Sequence, residues 1–544
     1  MYSSNKIAVV GGGSAGWMTA ATLIRFFPYK DITVIESPNT PIIGVGESTL
    51  GQFTYFIRAL GIDEKDLFKY ADASYKLSIK FTDFYKKDYG SFHYPFGRVY
   101  ENQELFGEEK LRAWYFKKLF YPETPPEDYC RTYYPQMPII EGNKLFKNED
   151  GSLEQFNFNH SSSFHFDAVK FGCYLREKYC IPRGVKHISA EVTDVKVGKD
   201  GVEKLILDNG KSVTADLFVD CTGWKSLLLG KAMGEEFISY DHLIPNNKAW
   251  ATKIKYVDKE KEMEPYTNCT ALGNGWVWNI PLWSRIGTGY VYSDKYISKE
   301  DALKEFKEYL KSDKLAVQRG EDFNPDELDY KDISMRIGIH KRTWVKNVVA
   351  IGLAAGFIEP LESTGLLTVH EFLFKLVRAL ERDNFNRFDI DSYNLITNTL
   401  FDGMCKFVAL HYPLSQRDDT QYWKDITRNR SYVGDLMGKE LIYSSGSSED
   451  AISRLFIKNN QEEKGGMHCI CPGMNYSIFD YQDIMHASYL NFLPPIEVMK
   501  SSIDNVIEKW KEKQKEWQKI ADKSPTLYEY VRDNFHDGED YIEE

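Results

Sequence analysis

Ile7-Ala8-Val9-Val10-Gly11-Gly12-Gly13-Ser14-Ala15-Gly16 is the stretch on which the fold turns. Its first four residues are a continuous apolar run, as in a parallel strand buried on both faces. Gly11, Gly13 and Gly16 follow with G-x-G-x-x-G spacing, and residues 17–27 read as a helix. Asp31–Ile35 is a second buried strand, and Glu36 stands at its end, twenty positions after Gly16. Strand, glycine turn, helix and strand make a βαβ unit and point to a doubly wound α/β architecture. The glycines, with Ser14 and Ala15 between them, let the backbone approach a pyrophosphate at the helix N-terminus. Glu36 can accept hydrogen bonds from a ribose. A purely structural turn would explain the spacing alone; the flanking strands and Glu36 favour dinucleotide binding.

Farther along, Asp216-Leu217-Phe218-Val219-Asp220-Cys221-Thr222-Gly223 resembles the second signature of FAD-binding oxidoreductases. Only one G-x-G-x-x-G follows a strand, so a separate nicotinamide-binding Rossmann domain is not expected. The fold class expected is α/β: an FAD-binding, Rossmann-like doubly wound domain, an additional β-sheet over 247–295, and a mainly helical C-terminal region. Residues 1–384 form the expected core and 385–544 the helical region packed on it. Residues 85–160, rich in Tyr, Pro and Gly, read as an irregular substrate-facing insertion. In the last helix Ile503, Val506, Trp510, Trp517 and Ile520 form one apolar face. That stripe suits a helix packed on its own domain better than a subunit contact.

Composition narrows the function. The 544 residues carry a net charge of −12, which argues against a nucleic-acid partner. No apolar run reaches the roughly 18 residues of a membrane span, and the N-terminus reads as a strand rather than a signal peptide, so a cytoplasmic protein is expected. The eight cysteines have no framework spacing and read as reduced. His468-Cys469-Ile470-Cys471 lacks a second cluster to complete a tetrahedral site, so no metal is expected.

Several further segments, in order, resemble the flavin-dependent tryptophan halogenases. Gly44-Val45-Gly46-Glu47-Ser48-Thr49 is similar to the family's G-V-G-E-[AS]-T, and Gly275-Trp276-Val277-Trp278-Asn279-Ile280-Pro281 contains W-x-W-x-I-P. Ala73-Ser74-Tyr75-Lys76 resembles the segment with the essential lysine, and Glu359-Pro360-Leu361-Glu362-Ser363-Thr364-Gly365 matches E-P-L-E-S-T-G. His411-Tyr412, Arg417–Thr420 and Trp423 are similar to another family stretch.

The resemblance implies a reaction. Reduced FAD (FADH2), supplied by a separate flavin reductase, would use O2 and a halide ion to make hypohalous acid, which halogenates a small electron-rich aromatic substrate. A hydroxylating FAD-dependent monooxygenase is the alternative, and W-x-W-x-I-P argues against it. Gly46, Glu47, Ser48 and Gly352 become expected FAD contacts. Trp276 and Trp278, on one strand face, would flank the flavin or simply fill a core. Lys76 would hydrogen-bond hypohalous acid or, as a neutral amine, be halogenated itself; Lys80 is the rival lysine. Glu362 would orient the halogenating species or take the ring proton, or serve as a helix-start carboxylate. Thr364 and Gly365, where a helix should begin, would hold the halide, with Ser363 beside the substrate. His93 and Phe96 are similar to a family pair that sandwiches an indole, but the spacing is H-x-x-F-G rather than H-x-F-G. The clamp of free-tryptophan enzymes is not recognisable at Tyr443–Glu449, which leaves other indoles and phenols open. A homo-oligomer is expected only by family likeness.

Overall fold

The computed structural model describes residues 2–39, 44, 46–100, 110–147, 152–381, 384–429, 469–476, 485–486, 488–490 and 494–538. The strand Lys6–Val10 lies inside a six-stranded sheet. Its order is 186–189, 31–36, 6–10, 217–220, 348–350, 344–345. All pairings are parallel except the last. Burial on both faces explains the unbroken apolar run of the first strand. The helix Ser14–Phe26 makes the crossover to Asp31–Glu36. Only glycine fits where the first strand turns into this helix: Gly11 has φ +117°, and a Cβ on Gly16, in the helix's first turn, would sit 1.8 Å from the Gly11 carbonyl oxygen. This close approach lets helix, turn and the neighbouring strand end at Asp220–Cys221 pack together.

The second sheet has seven strands, in the order 331–334, 248–254, 286–292, 275–281, 266–271, 78–82, 91–95. Its pairings are antiparallel except that between 266–271 and 78–82. Every residue of Gly275–Pro281 is buried, because this strand is covered on both faces. A small sheet joins Glu47–Ser48, Ser163–Phe166 and Ser74–Lys76. Glu47–Ser48 and the lysine-bearing strand flank Ser163–Phe166 on its two sides.

Beyond residue 386 the described elements are helices: Arg387–Leu414, Gln421–Arg428, Ile496–Lys523 and Leu527–Phe535. Capping boxes at Asn386 with Asp389, and at Thr526 with Glu529, satisfy the first turns of two of them. The Trp510 and Trp517 rings of the long helix pack on Tyr100 and Tyr133 of the same chain, at centroid distances of 5.0–6.2 Å. Residues 85–160 differ from the irregular segment expected. They include a sheet strand, Ser91–Pro95, and helices Lys110–Phe120, Asp128–Tyr133 and Met137–Glu141. Their aromatic residues are buried rather than displayed (Trp114, Tyr129, Tyr133 and Tyr134), and Pro138 sits in a helix's first turn, where its missing N–H is not needed. Among the described residues no helix is long and apolar enough to cross a membrane, and no group of His, Cys, Asp and Glu could hold a metal.

Candidate active site

The short strand Ser74–Lys76 ends on a fully buried ammonium. Lys76 Nζ donates to the Thr49 carbonyl at 2.9 Å and to Ser363 Oγ at 2.8 Å, and lies 5.0 Å from the Phe96 ring centroid. Its third N–H finds no acceptor among the described residues. Burial lowers the Lys76 pKa to about 7, against the opposing pull of the Glu362 carboxylate.

Glu362 closes the tight turn Pro360–Glu362 and is also buried. Its Oε1 lies 2.8 Å from His411 Nε2, an ion pair whenever that imidazole is protonated. Neither carboxylate oxygen is in hydrogen-bond geometry with any described residue. Ser363 follows with φ 55°, a left-handed conformation that is unfavourable for a side chain with a Cβ. The turn aims Ser363 Oγ at Lys76 and at Ser48 Oγ, 3.0 Å away. Helix Thr364–Leu380 begins immediately, with no side-chain cap, so its first N–H groups are unsatisfied. Thr364 Oγ1 is buried with no hydrogen-bond partner among the described residues.

Ser363, Thr364 and Gly365 form one wall of a cavity of about 500 Å³, within the usual size of cofactor clefts. The cavity begins at the uncapped helix start Gly11–Ala15 and passes Glu36 at the strand end. It continues along Gly46–Ser48 to Trp278, Gly352 and the Thr364 turn. Gly16 lies beneath this surface as a packing glycine. Trp276 and Trp278 share a strand face, with ring centroids 6.2 Å apart. Trp278 lines the cavity; Trp276 is buried behind it. Lys76 and Glu362 are not in the cavity lining: Ser363 stands between it and the lysine.

Two expectations from the sequence change. His93 is not brought to the face of Phe96. Strand alternation turns it to the other side, where its Nδ1 lies 3.0 Å from Ser78 Oγ and its ring meets Tyr266 edge-on at 5.0 Å. Tyr94 lies on the Phe96 side, edge-on to that ring at 6.1 Å and 6.3 Å from Phe407. The extra residue in H-x-x-F-G thus moves the histidine out of register. Lys80 pairs with His93 across the strands and lies over Tyr266, on the side away from Phe96. Lys80 is half-buried there, whereas Lys76 is fully buried against Ser363.

Other groups had no role in the sequence reading. The helix Arg387–Leu414 carries His411, part of a family-like segment with no assigned role, to Glu362. Its neighbour Tyr412 and Asn246 hydrogen-bond the buried Glu359, whose pKa burial raises to about 7. His165, flanked by no motif, pairs with Ser74 across the small sheet, two residues before Lys76. Val45, Tyr443–Glu449 and His468 lie outside the described residues.

Comparison with known proteins agrees with this geometry. A family model described as tryptophan halogenase matches residues 6–460. The tryptophan 6-halogenase SttH of Streptomyces toxytricini is 32% identical over 80% of this chain and 83% of its own length. The tryptophan 7-halogenase RebH of Lentzea aerocolonigenes is 30% identical over 97% and 98%. The solved structure of apo VirX1 is 37% identical, with a TM-score of 0.86 over 98% of this chain and 100% of that one.

Proposed function

This chain belongs to the tryptophan halogenase family, and on that footing we propose which residues carry its reaction. It is a flavin-dependent halogenase of an electron-rich aromatic substrate, and hydroxylation is not favoured. FAD fits the cavity: the helix start at Gly13 has no side-chain cap, which leaves N–H groups for a pyrophosphate, and Glu36 stands at the ribose position. Bound reduced flavin supplies hypohalous acid from O2 and a halide.

The chain's own residues then do the following. Trp278 covers the flavin side of the cavity, with Trp276 behind it. The free N–H groups at Thr364 and Gly365, beside the unpartnered Thr364 hydroxyl, hold the halide. Ser363 separates cavity from substrate. Lys76 receives the oxidised halogen on its uncommitted N–H or, because its pKa is near 7, as a free amine. Phe96 and Tyr94 provide aromatic surface for the substrate. Glu362, buried and without hydrogen bonds, is placed to stabilise the cationic ring and take its proton. The carrying observation is the buried Lys76, two donors committed and one free, between the cavity wall and Phe96.

The substrate class is an indole or a phenol; the relatives named for tryptophan make indoles the first to test. A separate reductase supplies the reduced flavin, and the cytoplasm is the expected compartment. The decisive experiment combines protein, FAD, a flavin reductase, NADH, O2 and each halide in turn with pooled indoles and phenols. Product masses should track the halide and vanish in Lys76→Ala. Oxygen insertion independent of halide would overturn the reading.

A further inference from the structure

A line of buried hydroxyls runs from Lys76 to His165. Lys76 Nζ donates to Ser363 Oγ at 2.8 Å; Ser363 Oγ lies 3.0 Å from Ser48 Oγ; Ser48 Oγ lies 2.6 Å from Thr267 Oγ1; and Thr267 Oγ1 lies 2.9 Å from His165 Nε2. Ser74 Oγ gives its hydrogen to the Pro281 carbonyl, so His165 Nδ1 donates toward Ser74 and Nε2 accepts; with the ammonium donating at the other end, each hydroxyl accepts from the lysine side and donates onward. The line ends on His165 Nε2 as acceptor. His165 Nδ1 faces Ser74 Oγ at 3.4 Å, and Ser74 donates to the Pro281 carbonyl at 2.5 Å. The imidazole is fully buried. Its charged form is disfavoured first by burial and then by the Lys76 charge. A charge on Lys76 therefore disfavours a charge on His165. The other ionisable groups facing them are Glu362 and Cys269, both beside Lys76. Glu47, next to Ser48, interacts with Asp167 instead.

We propose that Ser363, Ser48 and Thr267 form a proton relay between Lys76 and His165, and that it frees the Lys76 amine for halogen transfer. The inference rests on the halogenase reading above. One proton passes from Nζ to Ser363, as the hydroxyl protons shift along Ser48 and Thr267 to His165 Nε2. The neutral amine attacks hypohalous acid: an N–halogen bond forms, the O–halogen bond breaks, and one amine proton joins the leaving hydroxide as water. When the ring takes the halogen, the relay runs backwards and His165 returns its proton to Nζ. Glu362 accepts the ring proton, and its transfer back to the amine restores the ammonium. The relay needs a hydroxyl at position 48, where the family pattern allows alanine.

Thr267→Val removes the hydroxyl next to His165 at nearly constant volume without touching Lys76. Turnover should fall about 10- to 100-fold at pH 6.5, and the deficit should shrink by pH 9, where Lys76 is already neutral. Thr267→Ser should restore it. A second readout is independent of flavin and activity: ¹⁵N NMR of the histidine-labelled protein, with His165 assigned through His165→Gln. Nε2 of His165 should report an unprotonated, hydrogen-bonded nitrogen in wild type and Thr267→Ser, and lose that bond in Thr267→Val. A pH-independent loss, no loss, or a protonated Nε2 in wild type would each overturn the relay. Lys76→Ala separates the two claims: full activity there sinks the lysine's role, whereas a dead Lys76→Ala with an unaffected Thr267→Val sinks only the relay.

Discussion

Lys76→Met should make the protein more stable in mild acid while abolishing halogenation. The Lys76 pKa falls from 10.5 in an exposed chain to about 7 in the fold. A lysine lowered in this way penalises the folded state fully below about pH 7. The penalty fades as pH rises through the window from about 7 to 10.5, where the unfolded chain binds a proton that the fold does not. Between pH 6 and pH 9 roughly two units of that window are crossed. At about 1.4 kcal/mol per unit, wild type gains about 3 kcal/mol that the methionine variant cannot gain. The hydrogen bonds lost to Thr49 and Ser363 are the same at both pH values and cancel. For a chain of 544 residues, about 3 kcal/mol corresponds to a Tm difference of about 2–3 °C. The assay is thermal melting of both proteins at one scan rate at pH 6 and pH 9, with flavin binding followed by fluorescence. The variant's Tm advantage should be larger at pH 6 by that amount, with flavin affinity unchanged. An equal difference at the two pH values would refute the reasoning that this amine is held against its own charge.

Three other outcomes are expected. Glu362→Gln should reduce halogenation about 100-fold or more without weakening FAD affinity; parallel losses would mark the carboxylate as structural. Tyr94→Ala should raise KM for the aromatic substrate, whereas His93→Gln should leave it unchanged, because the two side chains lie on opposite strand faces; steady-state kinetics decide. Gly16→Ala places a Cβ against the Gly11 carbonyl and should strain the turn by about 1–3 kcal/mol, which weakens FAD about tenfold or more in a fluorescence titration.

The nucleotide half of the fold was legible in the sequence because its determinants are local. Gly11 and Gly16 are required by contacts within a few residues, and a strand buried on both faces must be apolar throughout. The motifs around Lys76 and Glu362 could be read for the same reason. Segment 85–160 was misread because a Tyr- and Pro-rich composition does not reveal that its aromatics meet Trp510 and Trp517 from the far end of the chain. His93 was misplaced because one inserted residue reverses side-chain direction in a strand, and only the pairing with Ser78–Thr82 sets that direction.

The sequence by itself determined the family and named the candidate cofactor turn and the candidate reactive lysine. Tertiary structure alone decided the lysine's proton affinity, the approach of His411 to Glu362, and the line of hydroxyls to His165. Each depends on burial or on contact between residues up to 315 positions apart. Electrostatic strength and hydrogen-bond geometry follow distance through space, which the order of residues along the chain does not encode locally.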